Sequence, residues 1–85
     1  MKKTRIATIY DPRYIKLIKE LILLRKNESI HQATVAEVMG ITQPDISKIE
    51  RFERRMDIME LSDYVNAIVG KDKTQITILS LLKEQ

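Results

Sequence analysis

With 85 residues the chain has room for one domain, since domains usually run to about 100–150 residues. Apolar residues make up 44% and charged residues 32%, with two Gly and two Pro, a balance too hydrophobic and too poor in breakers for a disordered tail. The absence of Cys excludes disulfide frameworks, thiolate metal sites and cysteine nucleophiles and points to a reducing, cytoplasmic setting, while a net charge of +3 is too mild to identify a partner.

In chain order, residues 4–10 (Thr-Arg-Ile-Ala-Thr-Ile-Tyr) are rich in β-branched and aromatic types and are stopped by Asp11 and Pro12, which predicts a short strand or arm. Asp11 can cap a helix whose first position suits Pro12, and Tyr14, Leu17, Ile18, Leu21, Ile22 and Leu24 recur at helical spacing, so a first helix is expected over 12–26. Its run Leu21-Ile22-Leu23-Leu24 is the longest apolar stretch and falls far short of the roughly 18 residues that span a bilayer; no apolar segment follows Lys2 and Lys3, so no membrane partner is expected. Helical periodicity resumes from Gln32 to Met39 and ends at Gly40. Thr42 has the side-chain oxygen of an N-cap and Pro44 fits the first turn of a third helix over 43–51. Asp57 followed by Glu60 reads as a capping box for a fourth helix, with Ile58, Leu61, Val65 and Ile68 on one face up to Gly70. Beyond the polar turn at 71–73, the β-branched residues 74–78 favour a strand, although Leu79 to Leu82 suit a helix equally.

The stretch from Gln32 to Glu50 carries the functional information. Two short helices joined by a Gly-containing turn are what a helix-turn-helix requires, and an ordinary αα-hairpin is the plainer alternative. Ala36 is small where such helices cross, Gly40 can take the left-handed conformation of the turn, and Val35, Met39, Ile41, Ile46 and Ile49 are expected to point inward. The ending Ile46-Ser47-Lys48-Ile49-Glu50 resembles the recognition helix of the Xre/Cro/phage-repressor family of DNA-binding proteins, in which an Ile-Ser-x-Ile-Glu pattern is common. The resemblance covers 14–70. Members often carry Gly before the second helix and after the third, where this chain has Ser29 and Phe52, and a Ser or Thr where it has His31.

The resemblance implies an all-α, four-helix domain with its core over 12–70, to which the residue pattern adds strand-like N- and C-terminal segments. It also implies that the third helix enters the major groove of double-stranded DNA, roughly 12 Å wide, with its N-terminal side chains at base edges. On that placement Gln43 is the leading adenine reader, and Asp45, Ser47 and Lys48 lie on the outward face as base-contact candidates. Lys48 suits guanine or a phosphate, Ser47 is degenerate, and Asp45 either accepts from cytosine or repels the backbone. Gln32, at the start of the second helix, takes the phosphate-clamping role of the family's Gln, with Thr42, Arg51, Arg54 and Arg55 as further phosphate contacts. Glu50 and Glu53 are the alternative, structural partners of these arginines.

Other residues have plainer readings. His31, the single His, is expected to serve a loop or cap rather than a metal, and no cofactor is implied. Met39, Met56 and Met59 are expected to fill core gaps, with Tyr14 and Tyr64 at core edges. No Ser has the surroundings of a hydrolytic triad, so no enzymatic activity is expected. Ile76, Ile78, Leu79, Leu81 and Leu82 form a tail, 74–82, too apolar to stay exposed. It is expected to pair as a strand with the N-terminal strand, within one chain or across a homodimer, or else to fold over its own core. The function expected is that of a small repressor bound as a dimer to an inverted-repeat operator. The alternative is an antitoxin that regulates its own operon while its tail binds a toxin protein.

Overall fold

The computed structural model describes residues 8–83, and in them every regular element is helical: a 3-10 turn, Thr8–Tyr10, and five α-helices. These are α1 (Pro12–Asn27), α2 (Gln32–Met39), α3 (Gln43–Glu50), α4 (Ile58–Val69) and α5 (Lys71–Lys83). Local chemistry starts them where the sequence indicates. Asp11 accepts from the Arg13 N–H at 2.8 Å with Pro12 in the first turn, Thr42 and Asp45 exchange side-chain to backbone bonds, and Asp57 and Glu60 do the same at α4. His31 occupies the N-cap position of α2 but makes no capping bond.

The ends of α1, α2 and α3 share one device. In each, the residue in the left-handed conformation and the residue after it return their N–H groups to the helix, as Gly40 to Glu37 and Ile41 to Ala36 do after α2. Ser29 bonds to Lys26 and Ile30 to Arg25 after α1, and Phe52 to Ile49 and Glu53 to Lys48 after α3. The left-handed positions are Ser29 (φ 57°), Gly40 (φ 73°) and Phe52 (φ 63°). At Gly40 an added Cβ would meet nothing, so it is the backbone angle and not space that favours Gly there. The hydrogen bonds hold Ser29 and Phe52 in the same conformation without that advantage.

The core is one cluster shared by the first four helices. Leu17, Ile18 and Leu21 from α1, Val35 and Ala36 from α2, Ile46 and Ile49 from α3, and Leu61, Tyr64, Val65 and Ile68 from α4 are buried, with Met56 from the loop before α4. Met39 and Ile41 pack at its margin. The Tyr14 hydroxyl accepts the Met56 N–H at 3.1 Å, tying α1 to the entry of α4. Two expected core positions are instead on the surface: Ile58, in the first turn of α4 ahead of the buried stripe, and Met59 beside it.

The C-terminal segment is a helix, not a strand. Its β-branched residues favour extended backbone only weakly compared with what packing offers: Thr74 is buried, and Ile78 and Leu81 lie against the core on the α4 and α1 side. The Thr74 hydroxyl donates to the Gly70 carbonyl at 2.8 Å, and Asp72 and Lys83 sit at the ends of α5 that the helix dipole favours. A strand pairing between the two ends is therefore not formed by this segment; of the expected N-terminal strand, 8–10 form the 3-10 turn and 4–7 lie outside the described residues. No described helix is long and apolar enough to cross a membrane.

Because Ser29 is exposed and its left-handed backbone carries a Cβ penalty, Ser29→Gly is expected to raise unfolding stability by about 0.5–1 kcal/mol in urea titrations. Phe52 offsets the same penalty by packing on the core, so Phe52→Gly is expected to lower stability.

Candidate nucleic-acid interface

The turn Gly40-Ile41-Thr42 brings the N-termini of α2 and α3 to one edge of the molecule. Their first residues meet there: Gln43 Nε2 donates to Gln32 Oε1 at 2.6 Å. Gln32 in turn donates through Nε2 to Glu50 Oε1 at 3.0 Å, which connects the edge to the last residue of α3. Gln43 is exposed and Gln32 half-buried, so the chain of bonds runs from surface to interior.

At its inner end lies a charged pair. Arg25 Nε and Nη2 bind Glu50 Oε2 and Oε1, both at 2.7 Å, and the two side chains are only 9% and 7% exposed. The Tyr64 hydroxyl donates to Glu50 Oε2 at 2.7 Å, and Arg25 Nη1 donates to the Ile30 carbonyl at 2.9 Å. The pair thus joins the end of α1, the turn into α2, the end of α3 and the middle of α4. Burial pushes the Glu50 carboxyl up, but the donors from Arg25, Gln32 and Tyr64 outweigh it and hold the group below the usual Glu value. Hydrogen bonding to Glu50 raises the Arg25 guanidinium, and burial, with Glu50 beside it, raises the Tyr64 phenol.

The other candidate residues are committed to different degrees. Asp45 closes the cap of α3, its Oδ2 accepting the Thr42 N–H at 3.1 Å while the Thr42 hydroxyl accepts the Asp45 N–H, and the backbone bond from Thr42 holds its carboxyl low. Ser47 accepts from Arg51 Nη1 at 2.7 Å, and Arg51 also pairs with Glu53 at 3.0 Å in the open. Lys48 and Arg55 are on the surface. Arg54 binds Glu60 at 2.7 Å in a half-exposed pair, with its Nη1 buried and without an acceptor among the described residues. Glu53 is therefore the structural partner of Arg51, whereas Glu50 serves Arg25 instead.

Arg25 is the residue that sequence reasoning missed. The signal was present: it continues the buried stripe Leu17, Ile18 and Leu21 at helical spacing, and a cation on an apolar stripe requires a counter-charge in the interior. No group of three or more His, Cys, Asp or Glu among the described residues is placed to hold a metal ion. The edge that remains offers amides, hydroxyls and cations around two helix N-termini.

Removing one partner of a buried ion pair leaves the other unpaired, so Arg25→Ala is expected to cost about 3–5 kcal/mol in urea unfolding, whereas Arg51→Ala, from a solvent-exposed pair, should leave the midpoint essentially unchanged. Because the folded state holds Glu50 below its unfolded value, stability from this group should be complete above the ordinary Glu range and fall as pH drops through that range to the folded value. In Glu50→Gln this part of the acid dependence should disappear, as followed by unfolding midpoints against pH. No protein-family model and no curated protein matches the chain.

Proposed function

We propose that this protein is a sequence-specific regulator that binds double-stranded DNA, with α2 and α3 forming a helix-turn-helix of the Xre/Cro/phage-repressor kind and α3 as the reader in the major groove. The observation that carries the reading is the Gln32–Gln43 bond, which sets two amide-bearing helix N-termini side by side on one edge. Helix N-termini favour anions, so this edge suits phosphates, and an exposed amide at the first position of α3 suits the adenine edge. The hydrogen-bonded turns at Ser29, Gly40 and Phe52 support it further, since two of them stand where the resembled family often has Gly.

Gln43 is the proposed base reader, with Ser47 and Lys48 on the same outward face. Asp45 contributes chiefly by capping α3. Gln32 and Thr42 are proposed at phosphates with Arg51 and Arg55. Arg54 is the weaker candidate, because its pair with Glu60 is partly buried, whereas that of Arg51 with Glu53 is open to solvent.

A homodimer is part of the proposal. α5 buries Thr74 and half-buries Ile78 and Leu81 but leaves Ile76, Leu79 and Leu82 exposed at 71%, 56% and 48%, and Leu23 of α1 is exposed beside the α1–α5 groove. Such a face suits a second copy, and a two-fold axis there would let two α3 helices read half-sites about 34 Å apart. The second reading, a protein partner such as a toxin, is favoured by a different groove between α4 and α5, where Ile58 and Met59 are exposed. Co-purification of a stoichiometric partner seated there would support it.

Selection of genomic fragments on immobilised protein tests the leading reading. A motif with two-fold symmetry is expected, and Gln43→Ala should relax the preference at one base pair per half-site, at a cost of about 1–3 kcal/mol. Arg55→Ala should weaken all sequences alike. If each protomer neutralises about four phosphates, the log–log salt slope of the dimer should lie near −7, at about −0.9 per phosphate; a slope near zero would remove DNA from the account.

A further inference from the structure

Arg51 is exposed and yet held at three points. Its Nη1 donates to Ser47 Oγ at 2.7 Å, one turn earlier on α3, and its Nε and Nη2 donate to the two oxygens of Glu53 at 3.0 and 3.2 Å. Glu53 is itself placed by the turn that ends α3: its N–H bonds to the Lys48 carbonyl at 2.8 Å, and Phe52 before it packs on the core. The guanidinium therefore lies back along α3, against the half-exposed Ser47, while the side chains of Arg51 and Glu53 stay 58% and 54% open to solvent. A pair so exposed contributes little to folding, so stability does not account for the arrangement. What it supplies is orientation, since a long side chain that is already ordered loses less freedom when a ligand meets it.

Charge alone places Arg51 among the phosphate contacts; its bonds narrow that assignment. Glu53 offsets its charge, so the pair has little counterion to release, and the carboxylate itself is repelled by a phosphate. A base edge is uncharged and carries no such penalty. A guanidinium has five N–H donors, and the bonds to Ser47 and Glu53 leave one N–H on Nη1 and one on Nη2. In the major groove only guanine presents two acceptors, O6 and N7; adenine sets a donor beside its acceptor, thymine a methyl beside its acceptor, and cytosine offers a donor. Resting on the DNA-binding reading above, we infer that Arg51 is a second base reader, specific for guanine, in place of a phosphate contact. It stands two turns along α3 from Gln43 and reads a different base pair of the same half-site. Ser47 and Glu53 are positioning residues for that specificity, acting through the guanidinium they hold.

Arg51→Ala alone would leave the Glu53 carboxylate uncovered beside the DNA and weaken all sequences by repulsion. Arg51→Ala combined with Glu53→Gln removes both charges, keeps the net charge of the protein and carries the test. The motif selected by wild-type protein is expected to hold one G·C pair per half-site that Gln43→Ala leaves untouched. On duplexes differing only at that pair, wild type should favour guanine by about tenfold to a hundredfold, and the double variant should bind all four within about twofold, with the salt slope unchanged. Glu53→Gln alone releases the guanidinium: every sequence should bind more tightly, with a slope steeper by about 0.9 per protomer, while the preference for guanine falls several-fold. Thermal melting confirms that each variant is folded. A double variant that keeps the wild-type base preference, or that weakens all sequences alike with a flatter salt slope, would overturn the inference and leave the DNA-binding reading standing. A guanine preference untouched by Glu53→Gln would overturn it too. Failure of the wild-type protein to yield any motif would overturn that reading and the inference with it.

Discussion

The ion pair between Arg25 and Glu50 is the interaction on which the arrangement of the other parts depends. Two charges taken out of water are costly, and a pair is tolerable only when geometry and additional hydrogen bonds compensate for the lost hydration. Here two guanidinium nitrogens along one edge of Arg25 and the phenol of Tyr64 converge on one carboxylate, and the remaining guanidinium nitrogen reaches the Ile30 carbonyl. An apolar substitute of the same volume would fill the space, but it would not specify direction. The pair requires that the end of α1, the turn after it, the end of α3 and the middle of α4 meet at one point, and it leaves one carboxylate position aimed at Gln32. Packing in the surrounding core supplies the stability; the ion pair supplies the alignment.

Much of this architecture is legible in the sequence because short-range chemistry writes it. Asp11, Thr42 and the Asp57–Glu60 box start their helices by bonds within three residues, and Gly40 ends α2 by a backbone angle that Gly adopts without strain. The expected inward face of α3 also follows, with Ile46 and Ile49 fully buried; of the expected outward residues Gln43 and Lys48 are on the surface, while Asp45 and Ser47 are only half-exposed. What is not legible is non-local. Glu50 and Glu53 look like interchangeable partners for the arginines that follow them, and only the tertiary fold shows that Glu50 turns inward to a residue 25 positions earlier. Ser29 and Phe52 look like departures from a Gly-based turn, yet their backbone takes the turn conformation regardless, because the two hydrogen bonds at each helix end outweigh the local penalty.

The C-terminal segment shows how propensity yields to packing. Ile76 and Ile78 are two residues apart and suggest alternation in a strand, but in α5 they diverge: Ile78 reaches the core and Ile76 faces out. The apolar tail therefore splits into a stripe that completes the protomer and a stripe that remains on its surface. A domain this small buries only about 60% of its unfolded surface, which makes an outer apolar stripe on a late helix a natural place for association. The amides at the start of α2 and α3 occupy a different edge from the α1–α5 groove, since neither Gln32 nor Gln43 lines it. Association and DNA contact are then compatible in one molecule.

The central claim, that the edge formed by the starts of α2 and α3 is where DNA binds, is tested most directly by titrating 15N-labelled protein with a mixed-sequence duplex at about 150 mM salt and following amide shifts. The account predicts that the largest changes fall at 31–36 and 42–48, with the side-chain amides of Gln32 and Gln43 among them, while residues lining the α4–α5 groove move little. Changes confined to Ile58, Met59 and the face of α5, or no change with DNA in excess, would contradict it.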